Sequence, residues 1–470
     1  MERPCWQQLP GTLYTTSVAT RNRAVLASQT GLCRAAGPWD LTALGVNQVI
    51  GGAIFLIPAA IAGAIGTWSP VGFLVAGFAM FLIALCYAET ASRFSVTGGA
   101  YIYTRAAFGR LAGFEIGWMQ WFVRVSSQAA IVSGVANALA YYWPAANQSW
   151  GHVFVVSTIT LLVGYWHVRG IRESAWAINF FAAAKLIPLL IFIGAGAFLI
   201  EWRSLGPLPD VSPDQVLTAG LLLVFAYGGF ESVAVIGGEA KQPQRDVPFG
   251  LGTTILCVTL IMSSAQAVYV FSGANTKSLT PLADSAQVLM GSAGAAVIGA
   301  GSVLSMLGAN VGSSLVASRM LFAFAEQGDI PAVFARISSI YRTPAIAIWV
   351  STGVTLFLAV SGSFVMLASV SALARLVTYT GVSIATLVLR RGNAPIAAFV
   401  LPLGAAIPVA ATAVSLAMIA GASREQLTTG ALALAAGAIL YVCNGYVRAS
   451  RGSAFRVALP ESGAPNQLDA

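Results

Sequence analysis

The sequence predicts an all-α membrane protein of about twelve spanning helices, arranged as two inverted repeats of five helices with broken first and sixth spans, then two extra helices. Three observations carry this reading: a very low charge content, apolar stretches of spanning length, and glycine breaks at corresponding places in spans one and six. Of 470 residues, 57% are apolar and 9% are charged, and mean hydropathy is +0.78. Soluble domains carry about 25% charged residues, so a water-soluble fold is excluded.

Apolar runs recur from Leu41 to Val447, bounded by Gly, Pro or charge, with centres near Ile54, Phe81, Ser127, Thr160, Pro188, Phe225, Ile261, Gly308, Val354, Tyr379, Pro408 and Leu434. With the amino terminus inside, 19 basic residues fall in cytoplasmic segments and 3 (Arg203, Lys277, Arg424) on the other side. Basic loops resist translocation, so both termini are expected in the cytoplasm of a cell whose inner membrane holds the chain. The expected division is a tail over 1–38, a transmembrane domain over 39–448 with repeats near 39–200 and 213–391, and a polar tail over 449–470. No connecting loop is long enough for a catalytic domain.

The net charge of +8 marks one membrane side and not a nucleic-acid partner. Cys5, Cys33, Cys86, Cys257 and Cys443 are scattered, and His152 and His167 stand apart from them, so neither a disulfide framework nor a metal site is indicated. The first forty residues hold Arg3, Arg21, Arg23 and Arg34 but no apolar core, so no cleavable secretory leader is expected.

Span one reads GVNQVIGGAIFLIP over 45–58 and span six reads FAYGGFESVAVIGG over 225–238. Glycine pairs weaken a helix's hydrogen-bond ladder, and opened backbone survives in a membrane only where it lines a polar cavity. Small residues also serve close helix packing, which is the alternative for either pair alone. Their matching positions, with polar neighbours Asn47, Gln48, Glu231 and Ser232, favour a solute site of the inverted-repeat kind.

These residues carry a resemblance. GGAIFLIP resembles the first-span signature of the amino acid–polyamine–organocation superfamily, usually written GSGIF, and FAYGGFES resembles its sixth-span signature. GGEAKQPQRDVP (237–248) looks like the loop that follows, SRMLFAFAEQGDIPAVFARISSIYRTP (318–344) like the end of span eight and its loop, and LVLRR (387–391) like the end of span ten. The resemblance implies the fold of the bacterial leucine transporter, with solute held between spans one, three, six and eight. It implies that a substrate carboxylate meets amides around Gly51, Gly52 and Ala53, and an ammonium meets carbonyls near Ile50, Phe225, Ala226 and Gly228. Helix-end dipoles suit such a zwitterion. Phe225 would be an aromatic lid. Gly52 and Ala53 stand where the superfamily has Ser and Gly, so the carboxylate cradle has lost a hydroxyl and gained a methyl.

Four ionisable side chains fall deep in spans: Arg124, Lys185, Glu231 and Arg375. Each charge facing lipid would cost about 2.5 to 3.5 kcal/mol, so they should face one another or water. The segment KLIPLL (185–190) resembles the fifth span of relatives in which a lysine replaces a sodium ion, which makes Ser313 and Ser314 its candidate partners. Lys185 is either a proton acceptor or a permanently charged strut. Glu231 is either a proton-carrying or gating carboxylate or the partner of an arginine. In GWMQWFVRVSSQ (117–128), Arg124 and Gln128 are four apart and share a helix face. Comparison with the superfamily's third span suggests that this face borders the substrate side chain. Arg124 either pairs with Glu231 as a strut or selects among solutes, and Arg375 packs against span one or six.

The expectation is a secondary active amino acid transporter, proton-coupled or an exchanger, with the lipid bilayer and a small amino acid as partners and no cofactor. A polyamine or organic-amine carrier and a transporter-like solute sensor are the alternatives. No Walker A, HExxH or paired-Asp constellation is present, so neither ATP hydrolysis nor intramembrane catalysis is indicated.

Overall fold

In lipid every backbone polar group must be satisfied within the chain, and helices are one of the few ways to do so. The computed structural model describes residues 36–94, 98–140, 142–169, 175–201, 210–235, 237, 240–275, 277–341, 343–391 and 395–450. Both tails beyond these limits, Arg172, Arg203 and Arg342, and Gly238 and Glu239 of the loop motif lie outside the described residues.

The helices, in order, are α1 (Pro38–Val49), α2 (Ala53–Leu56), α3 (Pro58–Ile65), α4 (Ser69–Arg93), α5 (Ala100–Phe108), α6 (Arg110–Leu139), α7 (Ser149–Val168) and α8 (Ala175–Leu199). They continue with α9 (Pro213–Tyr227), α10 (Glu231–Val235), α11 (Pro243–Phe271), α12 (Pro281–Glu326), α13 (Ala345–Ser361), α14 (Phe364–Arg391), α15 (Ala406–Ala420) and α16 (Arg424–Ser450). Each predicted span centre lies inside one of these helices. Among the described residues, 7 helical stretches are long and apolar enough to cross a membrane, and shorter apolar helices accompany them. The protein is therefore a multi-pass, all-α membrane protein.

The helix α6 has spanning length but a polar sequence, and its environment explains why. Most of its residues are buried, including Arg124, Ser126, Ser127, Gln128 and Ser133. It packs against α12, α13 and α14, so its polar side chains meet protein and not lipid. The helix α4 packs against α11 and α14.

One end of the bundle is tied by two acidic centres. Glu89, fully buried, takes Arg93 at 3.1 Å and Arg390 at 2.5 Å, and accepts the Leu401 amide at 2.9 Å. Glu89 and Arg93 thus form a helix-end pair, with Arg390 as the closer cation. Asp329, also fully buried, accepts from Tyr101 at 2.7 Å and Arg110 at 3.0 Å, with Arg105 at 3.5 Å. Burial, and then the neighbouring Asp329 carboxylate, push the Tyr101 phenol up, so it stays a donor.

Candidate functional site

Both expected breaks are present. The helix α1 stops at Val49, Ile50 leaves helical geometry with ψ 80°, and α2 restarts at Ala53. The helix α9 stops at Tyr227, Gly228 is extended (φ −67°, ψ 139°), and α10 restarts at Glu231. Gly229 has φ +127°, a conformation that L side chains rarely adopt. A Cβ there would also lie 2.6 Å from the Gln48 carbonyl oxygen, so the glycine lets the two breaks touch.

Between the breaks lies a cavity of about 40 Å³, lined by Gln48, Val49, Gly51, Gly52, Ala53, Phe225, Gly228 and Gly229 from the broken helices. Arg124, Ser127 and Ile131 from α6, Ala309 and Ser313 from α12, and Arg375 from α14 complete it. A cavity this size holds only a few waters and is far below the roughly 300 Å³ at which ligand clefts begin, so a solute enters only as the helices part.

The expected site residues divide into two groups. Gly51, Gly52, Ala53, Phe225, Gly228, Arg124 and Ser313 reach the cavity; Ile50, Ala226, Gln128, Ser314, Lys185 and Glu231 are not among its lining residues. The Gly51 amide is already committed, donating to the Val49 carbonyl at 2.7 Å, which leaves Gly52 and Ala53 as the leading amides of the second half-helix. The space beside Gly52, where the superfamily has a serine, is filled by Met306: a Cβ on Gly52 would sit 2.6 Å from Met306 Cγ. Phe225 stands edge-on to Phe364, with centroids 6.0 Å apart.

The placement of Gln128 differs from the expectation. Its amide donates to the Asn310 carbonyl at 3.1 Å and its oxygen accepts from Thr355 at 3.3 Å, tying α6 to α12 and α13. The cavity face of α6 runs instead through Arg124, Ser127 and Ile131, at spacings of three and four. Positions three and four residues on from Arg124 lie on opposite sides of it, about 60° one way and 40° the other. The side that turns inward is set by packing.

The buried charges are resolved in detail. Arg375 Nη1 donates to Glu231 Oε1 at 3.0 Å and its Nη2 donates to Ser127 at 3.1 Å. Arg124 Nη2 donates to Ser232 at 2.9 Å and lies 3.8 Å from the same Glu231 oxygen. Glu231 also accepts from the Gly229 amide at 2.9 Å and from Tyr379 at 3.4 Å. The strut reading of Arg124 therefore holds only in part, because Arg375 is the tighter partner. Gly228 makes this possible: a Cβ there would fall 1.7 Å from Arg375 Nη1, so the guanidinium fills the space that a side chain would take. That space is not open to a substrate side chain.

Lys185 donates to the Asn47 carbonyl, near the end of the first half-helix. Among the described residues neither Ser313 nor Ser314 is its partner; the α12 serine that reaches the break is Ser305, which donates to the Gly51 carbonyl at 3.0 Å. Sequence reasoning missed Ser305, Ser127, Ser371 and Tyr379. Serine is common in these helices, and nothing in its local pattern marks the few that touch a break or a guanidinium.

The sequence matches the amino acid permease family over residues 37–442. It is similar to the branched-chain amino acid permease BcaP of Bacillus subtilis, with 28% identity over 78% of this chain and 83% of the relative. It is also similar to the methylthioribose transporter of that organism, with 27% identity over 82% of this chain and 87% of the relative. The chloroplastic cationic amino acid transporter 9 of Arabidopsis thaliana is 30% identical over 65% of this chain and 58% of its own length.

Proposed function

Because the chain belongs to the amino acid permease family, we propose that it carries an amino acid across the cytoplasmic membrane by alternating access, as a secondary active transporter driven by protons or by exchange. The observation that carries this reading is the small cavity between the two broken helices, where half-helix ends from both breaks face one position that widens to admit a solute as the helices part. Leading amides at Gly52 and Ala53 would take the carboxylate, and carbonyls around Phe225 and Gly228 the ammonium. The route is a rocking of one group of helices against another, which enlarges the cavity first on one side and then on the other.

We place twelve spans in the membrane, with repeats near 39–200 and 213–391 and two further helices. The pairing of α4 with α11 and of α6 with α12, the second and third spans of each repeat, supports this. The bias of basic residues supports cytoplasmic termini. The contact of Lys185 with the carbonyl end of the first half-helix supports a role in place of a coupling sodium ion. A polyamine carrier is disfavoured, because among the described residues the one carboxylate beside the cavity, Glu231, already serves two arginines.

The test is counterflow of labelled amino acids in liposomes containing the purified protein. Binding of an amino acid without flux would favour the solute-sensor reading and overturn this one.

A further inference from the structure

The charge beside the cavity does not balance. Two guanidinium groups, Arg124 and Arg375, share the single carboxylate of Glu231, and all three side chains are 5% exposed or less. Their other polar neighbours, Ser127, Ser232, Ser371 and Tyr379, are neutral. A further ionisable group at the breaks, Lys185, carries no negative charge. Glu89 is taken up by Arg93 and Arg390 at the bundle end, and Glu115 lies against Gly437 on another face of α6. Among the described residues the cluster therefore carries one uncompensated positive charge next to the cavity.

The two arginines also have donors to spare. Both line the cavity, and the Nε atoms of both are buried with no hydrogen-bond partner. A buried cation without a counter-charge is costly, and a guanidinium recognises a carboxylate through paired N–H donors. A zwitterion with a neutral side chain leaves the excess charge in place, and a cationic amino acid adds to it. A solute with one net negative charge cancels it.

We propose that the transported solute is an amino acid with an acidic side chain, whose second carboxylate is met by Arg124 and Arg375. This rests on the transporter reading above and gives it a substrate class. Gly228 has a specific part in it: by lacking a side chain it lets the Arg375 guanidinium stand at the cavity wall.

The experiment is counterflow in liposomes with labelled aspartate, glutamate, leucine and arginine, and with unlabelled succinate as a competitor that lacks the amine. Aspartate or glutamate should half-saturate at a concentration at least about tenfold below leucine, the factor expected of one charge-assisted hydrogen bond. Arginine should not compete, and succinate should compete about tenfold less well than aspartate. Arg124→Gln should raise the acidic half-saturation constant about tenfold more than that of leucine, and Arg124→Lys should keep part of the preference. Exchange of leucine or arginine, with neither acidic amino acid exchanged or competing, overturns the substrate class and leaves the transporter reading intact. Equal competition by succinate and aspartate overturns the need for the amine. A loss in Arg124→Gln that is the same for every solute overturns the guanidinium contact. Because the wild-type comparison decides the substrate class alone, poor folding of a variant cannot rescue the proposal. Failure of any amino acid to exchange would remove the transporter reading itself.

Discussion

Replacing Glu231 by glutamine tests the charge arithmetic of the buried cluster without reference to transport. In the native cluster two guanidinium groups share one carboxylate oxygen at 3.0 and 3.8 Å, so the local charge is one positive unit. Glu231→Gln leaves two cations and no anion. The guanidinium nitrogens that meet at that oxygen are then no more than about 7 Å apart, where two unit charges at an effective dielectric of about 20 repel by about 2.4 kcal/mol. Losing the partner of a buried ion pair costs about 3–5 kcal/mol, which sets the expected destabilisation. Arg124→Gln has a different outcome. The Arg375–Glu231 pair at 3.0 Å survives and the local charge falls to zero, while the hydrogen bond to Ser232 at 2.9 Å is lost. That loss is worth about 1 kcal/mol and is offset by removal of the excess charge, so the net change should stay within about 1 kcal/mol. At about 2 °C per kcal/mol, thermal unfolding in detergent should show Glu231→Gln lower by roughly 6–10 °C and Arg124→Gln within about 2 °C of wild type. Equal losses for the two variants, or a larger one for Arg124→Gln, would refute the assignment of Arg375 as the principal partner.

Gly228→Ala places a methyl 1.7 Å from Arg375 Nη1 and should expel that guanidinium from Glu231 and the cavity wall, so stability should fall by about 3 kcal/mol and uptake of acidic amino acids by more than that of leucine; a loss confined to large substrates, acidic or not, would show that the position bounds the side-chain pocket. Gly229→Ala combines φ +127° with a 2.6 Å approach to the Gln48 carbonyl and should cost at least about 1–3 kcal/mol, read as a lower unfolding temperature; an unchanged temperature would mean that the two breaks separate freely. For Lys185, held by the Asn47 carbonyl, wild-type uptake should survive replacement of sodium by choline, and Lys185→Ala should cut gradient-driven uptake more than binding. Uptake abolished by choline but normal in Lys185→Ala would refute the sodium-replacement role.

The sequence by itself determined the solvent and the scaffold. Composition and the length of apolar runs are one-dimensional quantities, and lipid punishes every unpaired backbone group, so they lead directly to an all-helical membrane protein. The two broken helices were legible for the same local reason: a glycine pair at mid-span weakens the ladder whatever surrounds it, and both breaks lie where the glycines of GVNQVIGG and FAYGGFES predicted opened backbone, at 50–52 and 228–230. Depth along a helix is likewise a matter of counting, which is why Arg124, Lys185, Glu231 and Arg375 could be recognised as buried from their positions alone. Rotation about the helix axis and side-chain reach are not local. Only the packed structure decided that α6 turns Arg124 and Ser127 to the cavity and Gln128 to Asn310. Only it decided that Arg375, 144 residues from Glu231 along the chain, is the closer cation. A long guanidinium can reach any of several neighbours, and which one it finds depends on the distances between helices, here on the missing side chain of Gly228 that gives Arg375 its place.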